Sequence, residues 1–130
     1  MKRGFTLVEI LVAVVIVAAL ASILIPRMLK GGQKISQRQA EGYLRSIRIS
    51  QKMYYARFAQ YACPTTACSG ANAVKSTLGT VLRDGSYTFS VLASGANSFV
   101  ATANGGALGT ITIDQDGNFQ KNSVPYTPPS

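Results

Sequence analysis

The chain has 130 residues and a formal net charge of +8, from 13 lysines and arginines against 5 aspartates and glutamates. It contains no histidine, so it lacks the commonest general base of enzymes and the commonest metal ligand. Since it also has no phosphate-binding loop, we expect a protein that is not an enzyme and needs no metal or other cofactor. The positive charge is compatible with an anionic partner such as nucleic acid or anionic lipid.

The first feature along the chain is an apolar run from Phe5 to Ile25, which Lys2 and Arg3 precede. As an α-helix this run is about 32 Å long, enough to cross a hydrocarbon core of about 30 Å. Glu9 interrupts the run, and a charge that faces lipid costs about 3 kcal/mol near the middle of a membrane. The carboxylate of Glu9 therefore needs a partner.

Three interpretations fit this N-terminus. A secretory signal would be cut after Ala21, at the sequence Ala19-Leu20-Ala21. A plain single-pass anchor would keep the basic N-terminus in the cytoplasm by the positive-inside rule. Neither of these accounts for Gly4 or Glu9.

The third interpretation rests on the motif GFTLVE at positions 4–9, followed by the long apolar helix. This motif resembles the class III signal of type IV pilins and of their relatives, the pseudopilins. The resemblance implies that a prepilin peptidase removes residues 1–4 by cutting after Gly4, and that it methylates Phe5 as the new N-terminus. It also implies that the helix remains in the mature protein, first as an inner-membrane anchor and then in the core of a filament.

The resemblance also implies a partner for Glu9. Cleavage leaves an ammonium group on Phe5, and a nearby positive charge favours an ionised carboxylate. Positions four apart share one face of a helix, so Phe5 and Glu9 could pair within one chain. They could also pair between chains, which the pilin family uses to set the axial register of its filaments.

Pro26 marks the end of the apolar run. Proline has no backbone N–H donor and crowds the preceding turn, so we expect a kink or local unwinding over residues 22–25. The glycine pair at 31–32 is a second weak point. Type IV pilins carry a proline at this offset and unwind beside it in the filament. The resemblance therefore favours an interrupted helix over residues 5–30 that continues into a globular head, residues 31–130.

Residues 33–62 at the start of the head have the spacing of an amphipathic helix. The apolar positions that recur every three to four residues are Ala40, Leu44, Ile47, Tyr54, Phe58 and Ala62. Four basic residues fall near one face of this helix, with tyrosines interleaved: Arg38, Arg45, Arg48 and Lys52. This pattern makes them candidates for contact with the phosphates of DNA. The alternative is a solvated helix face, or arginines paired with neighbours across a filament.

The two cysteines, Cys63 and Cys68, lie where this helix is expected to end. Beyond a membrane, in an oxidising compartment, two close cysteines predict a disulfide. Closing so short a loop contributes about 2 kcal/mol on the chain-entropy model. Two thiols without histidine do not complete a zinc site. Many pilins instead close a large loop near the C-terminus with a disulfide, and this chain departs from that pattern.

Three segments farther along alternate apolar and polar residues, which predicts β-strands at 87–91, 99–103 and 110–113. Their connections are short and contain glycine, so we expect an antiparallel meander within residues 86–120. The apolar face of this sheet needs a cover, which the helix over residues 33–62 is long enough to provide. The predicted fold is α+β: a long N-terminal α-helical spine packed on a three- to four-stranded antiparallel β-sheet, as in the pilin fold.

Three shorter features complete the prediction. A short helix is expected at 74–78. The sequence DQDGN at 114–118 is similar to the start of a calcium loop but has no glutamate at its distal position, and a tight turn into a short strand explains it without a metal. The proline-rich segment 124–130 is expected to lie extended along the surface.

Together these features and the resemblance predict a structural subunit of an extracellular type IV pilus, used for adhesion, twitching motility or DNA uptake. The predicted partners are further copies in a helical filament, prepilin peptidase, the inner membrane, the pilus assembly machinery and minor pilins. Two alternatives remain open at this point. One is a pseudopilin of a type II secretion system, and the other is a minor pilin that binds DNA through the basic helix.

Overall fold

A computed structural model describes residues 4–83 and 85–129, without the side chains of residues 26–30. The chain divides into two compact units, residues 1–35 and 36–130, and each is described by itself. The second unit is called the head below. The elements in chain order are helix α1 (Leu7–Phe58), strand β1 (Cys68–Ser69), helix α2 (Ala71–Leu78), strands β2 (Thr88–Ala93) and β3 (Phe99–Asn104), a 3-10 turn (Gly106–Leu108), and strands β4 (Thr110–Asp114), β5 (Phe119–Lys121) and β6 (Val124–Tyr126).

Helix α1 is one element from Leu7 to Phe58. The backbone is helical through Pro26 and through the glycine pair at 31–32, so the local unwinding predicted over residues 22–25 does not occur in this structure. Proline removes one hydrogen bond of a helix and leaves the bonds on either side in place. The side chain of Pro26 lies outside the described residues. The kink near it, and unwinding within a filament, stay predictions.

Helix α1 ends at Phe58, not at Ala62 as the spacing predicted. Ala59 has a φ of 55° and still donates its N–H to the carbonyl of Tyr55 at 2.8 Å. A left-handed residue directs the chain away from the helix axis. The chain then folds back, so that Tyr61 and Ala62 reach the core as loop residues.

The buried amide of Gln51 holds this returning loop. Its Oε1 accepts a hydrogen bond from the N–H of Ala62 at 2.9 Å, and its Nε2 donates to the carbonyl of Ala62 at 3.2 Å. One side chain therefore satisfies both backbone groups of a buried residue, as a neighbouring β-strand would. Gln51 is itself completely buried.

The sheet is an antiparallel meander of six strands in the order β1 to β6. The α+β prediction is confirmed, and the sheet has more strands than the three or four expected. Strand β1 has only two residues, Cys68 and Ser69, which pair with Val91 and Ser90. So short a strand has no alternation that a sequence pattern could reveal.

The last hairpin is the second addition to the predicted sheet. Strand β6 (Val124–Tyr126) pairs with β5, so this part of the proline-rich segment forms a strand. Asn122 and Ser123 both have positive φ values, 51° and 64°, as a two-residue type I′ hairpin turn requires. Pro125 is tolerated because β6 is an edge strand.

The core lies between the inner face of the sheet and the two helices. The alternating strand residues that were predicted to share a buried face do so. These inner-face residues, each at most 4% exposed, are Tyr87, Phe89, Val91, Phe99, Ala101, Ala103, Ile111 and Ile113. From α1, Ala40, Leu44 and Ile47 join the same cluster. Burial of one such large apolar side chain contributes about 1.5–3 kcal/mol. These buried side chains therefore fix the position of the part of α1 that belongs to the head.

Helix α2 covers the side of the sheet next to β1. The sequence predicted a short helix at 74–78, and the helix is longer, Ala71–Leu78, with Ala71 and Val74 buried. Gly79 ends it with a φ of 70° and donates its N–H to the carbonyl of Lys75. A glycine in the left-handed conformation is the common way to end a helix.

Candidate functional site

The N-terminal end of α1 is capped by Thr6. The hydroxyl of Thr6 accepts a hydrogen bond from the N–H of Glu9 at 3.3 Å, and the carbonyl of Thr6 accepts bonds from Glu9 and Ile10. Threonine is a preferred residue at this position, and a glutamate three residues later is the second half of a capping-box pattern. The capping role of Thr6 was not predicted, although the T-x-x-E spacing of Thr6 and Glu9 is a signal for it.

Glu9 thus lies in the first turn of α1. The free N–H groups of a helix start carry a partial positive charge, which favours a carboxylate there. Phe5 and Glu9 border the same shallow apolar depression on the side of the helix, together with Ile10, Ala13 and Val14. The two residues predicted to pair therefore share one side of the N-terminal segment.

The segment that follows is long and apolar enough to cross a membrane. It comprises Leu7–Ile25, and none of it is buried within the subunit. Large apolar side chains such as Val8 and Ile16 are more than half exposed. A surface of this size is stable only in contact with lipid or with other protein, so the N-terminal helix needs a cover that the chain itself does not supply.

The four basic residues of α1 that were predicted to contact DNA have different environments in the structure. Arg48 donates from Nε to the carbonyl of Gln115 at 3.1 Å and from Nη2 to the carbonyl of Asp116 at 2.9 Å. A Cβ on Gly117 would lie 2.9 Å from the guanidinium carbon of Arg48, so the small size of Gly117 lets the arginine lie against this turn. Arg48 is thus engaged within the head.

The other three candidates for DNA contact remain exposed. The guanidinium carbon of Arg45 lies 5.6 Å from the centre of the Phe119 ring, a cation–π distance. Arg38 and Lys52 complete the row, at intervals of seven residues from Arg45. Positions seven apart are about 10 Å apart along a helix, so these side chains form a sparse row.

Asp114 organises the turn that Arg48 contacts. Its Oδ1 accepts hydrogen bonds from the N–H groups of Asp116, Gly117 and Asn118, at 2.8 to 3.0 Å. Its Oδ2 accepts a bond from the side-chain amide of Asn118. Burial alone would raise the pKa of Asp114, but the hydrogen bonds from Asn118, Gly117 and Asp116 outweigh it and hold the pKa below its ordinary value. These bonds account for the DQDGN sequence as a turn.

A buried polar cluster joins α1 to the last hairpin. Glu41 is 4% exposed, and its Oε1 accepts bonds from the Tyr126 hydroxyl at 2.8 Å and the Gln37 amide at 2.9 Å. Lys121 donates to Oε1 of Gln37 at 2.7 Å. Burial and the nearby carboxylate of Glu41 both raise the pKa of Tyr126. The role of Glu41 was not predicted from the sequence, because Tyr126 and Lys121 in this cluster are distant from it along the chain.

Cys63 and Cys68 form the predicted disulfide, with a Cα–Cα separation of 5.9 Å. The carbonyl of Cys63 accepts a hydrogen bond from the N–H of Ala93, and Cys68 belongs to strand β1. The disulfide therefore fastens the loop after α1 to one edge of the sheet.

Comparisons with known proteins agree with this architecture. Residues 1–25 match the family described as "Prokaryotic N-terminal methylation motif". The "Type IV wide pilus major component PilA4" of Thermus thermophilus is 29% identical over 124 residues, which cover 94% of this chain and 89% of that protein. The "Type IV major pilin protein PilA" of Myxococcus xanthus is 33% identical over 61 residues, which cover 47% of this chain and 28% of that protein.

Two features characterise this chain: an apolar helix long enough to cross a membrane, and an α+β head with an antiparallel sheet that follows it in sequence. The methylation motif and the two relatives support a type IV pilin, so the resemblance predicted from positions 4–9 is confirmed. A type IV pilin with this helix fits a membrane-anchored precursor and an extracellular pilus filament.

Proposed function

We propose that this chain is a structural subunit of an extracellular type IV pilus, cut after Gly4 and assembled through its N-terminal helix. The main observation in support is that none of Leu7–Ile25 is buried in the subunit. In the membrane, lipid covers this surface. In a filament, the same helix of neighbouring copies replaces the lipid, and the contact repeats because it does not close on itself.

The pairing of Glu9 with the amine of Phe5 fixes the register of this assembly. Glu9 stands in the first helical turn, and Phe5 borders the same depression. In a bundle of apolar helices an unpaired carboxylate is costly. The favoured axial position of an added copy is therefore the one in which Glu9 lies next to a positive charge. Prepilin peptidase creates that charge, and the inner membrane and the pilus assembly machinery are the other partners in this scheme.

The processing step is tested by substituting the residue before the cut. Gly4→Ser should leave a full-length precursor in the membrane, because the cut requires the glycine of the motif. The N-terminal residue of the purified chain, determined by mass spectrometry, should be a methylated Phe5 in the unsubstituted protein and Met1 in the variant. Unaffected cleavage of the variant would contradict the proposal, as would an unsubstituted chain that begins at Ser22.

DNA uptake is a second candidate role, for which the exposed Arg38, Arg45 and Lys52 are the support. Arg48 adds little to it, because its guanidinium already donates to the turn after β4. If the row contacts phosphates, binding of duplex DNA by the full chain should weaken steeply with salt, and Arg38→Ala with Arg45→Ala should reduce it. An absence of binding at low salt would exclude this role. A pseudopilin role has less support, since one relative is named as a pilus component and the other as a major pilin protein.

A further inference from the structure

A groove lies between the last turns of α1 and the end of α2. It has a volume of about 570 Å³ and is lined by Ser50, Met53, Tyr54, Arg57, Phe58, Thr77, Leu78 and Gly79. Met53 and Phe58 are more than half exposed, and the rings of Tyr54 and Phe58 lie 4.5 Å apart. The groove thus combines exposed apolar side chains with one cation, Arg57, and with the polar Ser50 and Thr77 in its lining.

The opposite face of the sheet carries a small apolar patch. Leu92 of β2 and Val100 of β3 are cross-strand partners, and they are 47% and 44% exposed. The neighbour of Val100 in the same row is Asp114 of β4. Asp116, two residues farther on, is exposed. We call Leu92, Val100 and this acidic turn the sheet patch.

The apolar pair of the sheet patch, Leu92 and Val100, lies on the side of the sheet away from the helices, whereas the acidic turn is contacted by Arg48 of α1. The inner-face residues of β2 and β3, such as Val91 and Ala101, pack with the helices in one core cluster. Leu92 and Val100 alternate with them and therefore point away from the helices. One copy of the head therefore cannot cover its own groove with its own Leu92 and Val100.

The charges of the head restrict what can fill the groove. The acids among the described head residues are Glu41, Asp114 and Asp116, and Glu41 is buried. Among the described residues of the head, the accessible negative charge therefore lies at the sheet patch. In another copy, the sheet patch offers both an apolar pair for Met53 and Phe58 and an acid for Arg57.

We propose that the groove of one copy binds the sheet patch of a second copy, with Leu92 and Val100 against Met53 and Phe58, and Asp116 near Arg57. This contact joins two different surfaces, so it leaves a free groove and a free sheet patch at the two ends of every pair. Such a contact cannot close a dimer, and it repeats into an open filament when the rotation between copies does not close a ring. The inference rests on the proposed function and adds a contact between heads to the packing of the N-terminal helices.

Chemical cross-linking of sheared fibres tests the contact. The full-length chain receives two cysteines, Phe58→Cys and Leu92→Cys, and the fibres are treated with a short bismaleimide, which reacts with free thiols and leaves the native disulfide intact. We expect a ladder of dimers, trimers and longer products from the double variant and none from either single variant. The matched control is Leu92→Cys with Val124→Cys, since Val124 is 62% exposed but lies on β6, outside the groove.

The results separate this inference from the proposed function. Fibres that form normally but give no ladder, or that give the same ladder with the control pair, would overturn the contact between heads alone. A chain without substitutions that forms no fibres would contradict the proposed function and remove the basis of this inference with it.

A charge exchange tests the same contact without cross-linking. Arg57→Asp should lower the yield of fibres about tenfold, because it brings like charges together at every contact. Adding Asp116→Arg should restore most of that yield. Arg83→Asp, at an exposed arginine outside the groove, is the control and should have a much smaller effect. If Asp116→Arg does not rescue Arg57→Asp, the two residues do not meet and the inference is wrong.

Discussion

The hydroxyl of Thr6 accepts a hydrogen bond from the backbone N–H of Glu9, 3.3 Å away, at the point where α1 begins. This bond places Glu9 in the first turn, where the free N–H groups of the helix stabilise a negative charge. The acid in the apolar segment is therefore stabilised in part by its own helix start. We propose that the amine of Phe5 supplies the rest of its stabilisation in an assembled filament.

Replacement of Gln51 by leucine tests how the end of α1 is held. The substitution leaves the N–H and the carbonyl of Ala62 without their partner, since both now bond the Gln51 amide. We expect a loss of about 1–3 kcal/mol in the free energy of unfolding of the head. The measurement is urea denaturation of the full chain in detergent micelles, followed by tyrosine circular dichroism. Gln60→Leu, at an exposed position of the same loop, is the control, and an equal loss in both variants would contradict the role of Gln51.

The turn that Asp114 organises makes the stability of the head depend on pH in the acidic range. The folded state holds the pKa of Asp114 below 3.8, so Asp114 stabilises the head fully above that pH. This stabilisation is lost as the pH falls through the lowered pKa. Asp114→Asn keeps the shape of the side chain and removes the charge, so its free energy of unfolding should change less between pH 5 and pH 2. Asp116→Asn is the matched control in the same turn. If Asp114→Asn loses stability in acid as steeply as the unsubstituted chain, the turn is not the cause.

The tyrosines near Glu41 make the stability of the head depend on pH in the alkaline range. Burial and the charge of Glu41 raise the pKa values of Tyr87 and Tyr126 above 10.0. The folded state therefore keeps these protons at a pH where the unfolded chain releases them. Their contribution is fully present below pH 10 and is lost as the pH rises through the raised pKa values.

Tyr126→Phe tests this effect. The variant should be less stable at neutral pH, because Glu41 loses the hydroxyl that donates to it. It should also lose less stability than the unsubstituted chain when the pH rises above 10, since one titrating group is gone. Tyr55→Phe is the control, because its hydroxyl contacts the exposed Asn97 instead. The denaturation midpoint across the alkaline range is the measurement, and parallel pH profiles for Tyr126→Phe and the unsubstituted chain would contradict the assignment.

The buried face of the sheet could be predicted from the sequence because alternation reports directly on burial. Phe89, Phe99 and Ile111 each stand on the inner face where the pattern placed them. The strands β1 and β6 escaped prediction because two or three residues contain no period. The end of α1 was misplaced because Ala62 is apolar and fits the helical spacing, yet it reaches the core from a loop, as Tyr61 does.

The candidate site was predictable to a similar degree. The motif at positions 4–9 predicts roles for Gly4, Phe5 and Glu9 through fixed spacing, and these roles stay predictions. The short interval between the cysteines predicted the disulfide that the structure contains. The docking of Arg48 on the turn after β4 was not predictable, because Arg48 and Gln115 are brought together only by the fold. The same limit applies to Glu41 and Tyr126, whose contact depends on where the last hairpin lies.

The role of Glu9 in assembly is the central claim, and the yield of fibres from Glu9→Gln tests it most directly. Glutamine keeps the size of the side chain and removes the charge, so cleavage after Gly4 and insertion in the membrane should be unchanged. The amount of the chain in sheared surface fibres, relative to the amount in the membrane, should fall about tenfold or more, as the loss of one charged hydrogen bond of about 1.5–3 kcal/mol implies. Fibres in normal amounts from a correctly processed Glu9→Gln chain would contradict the account.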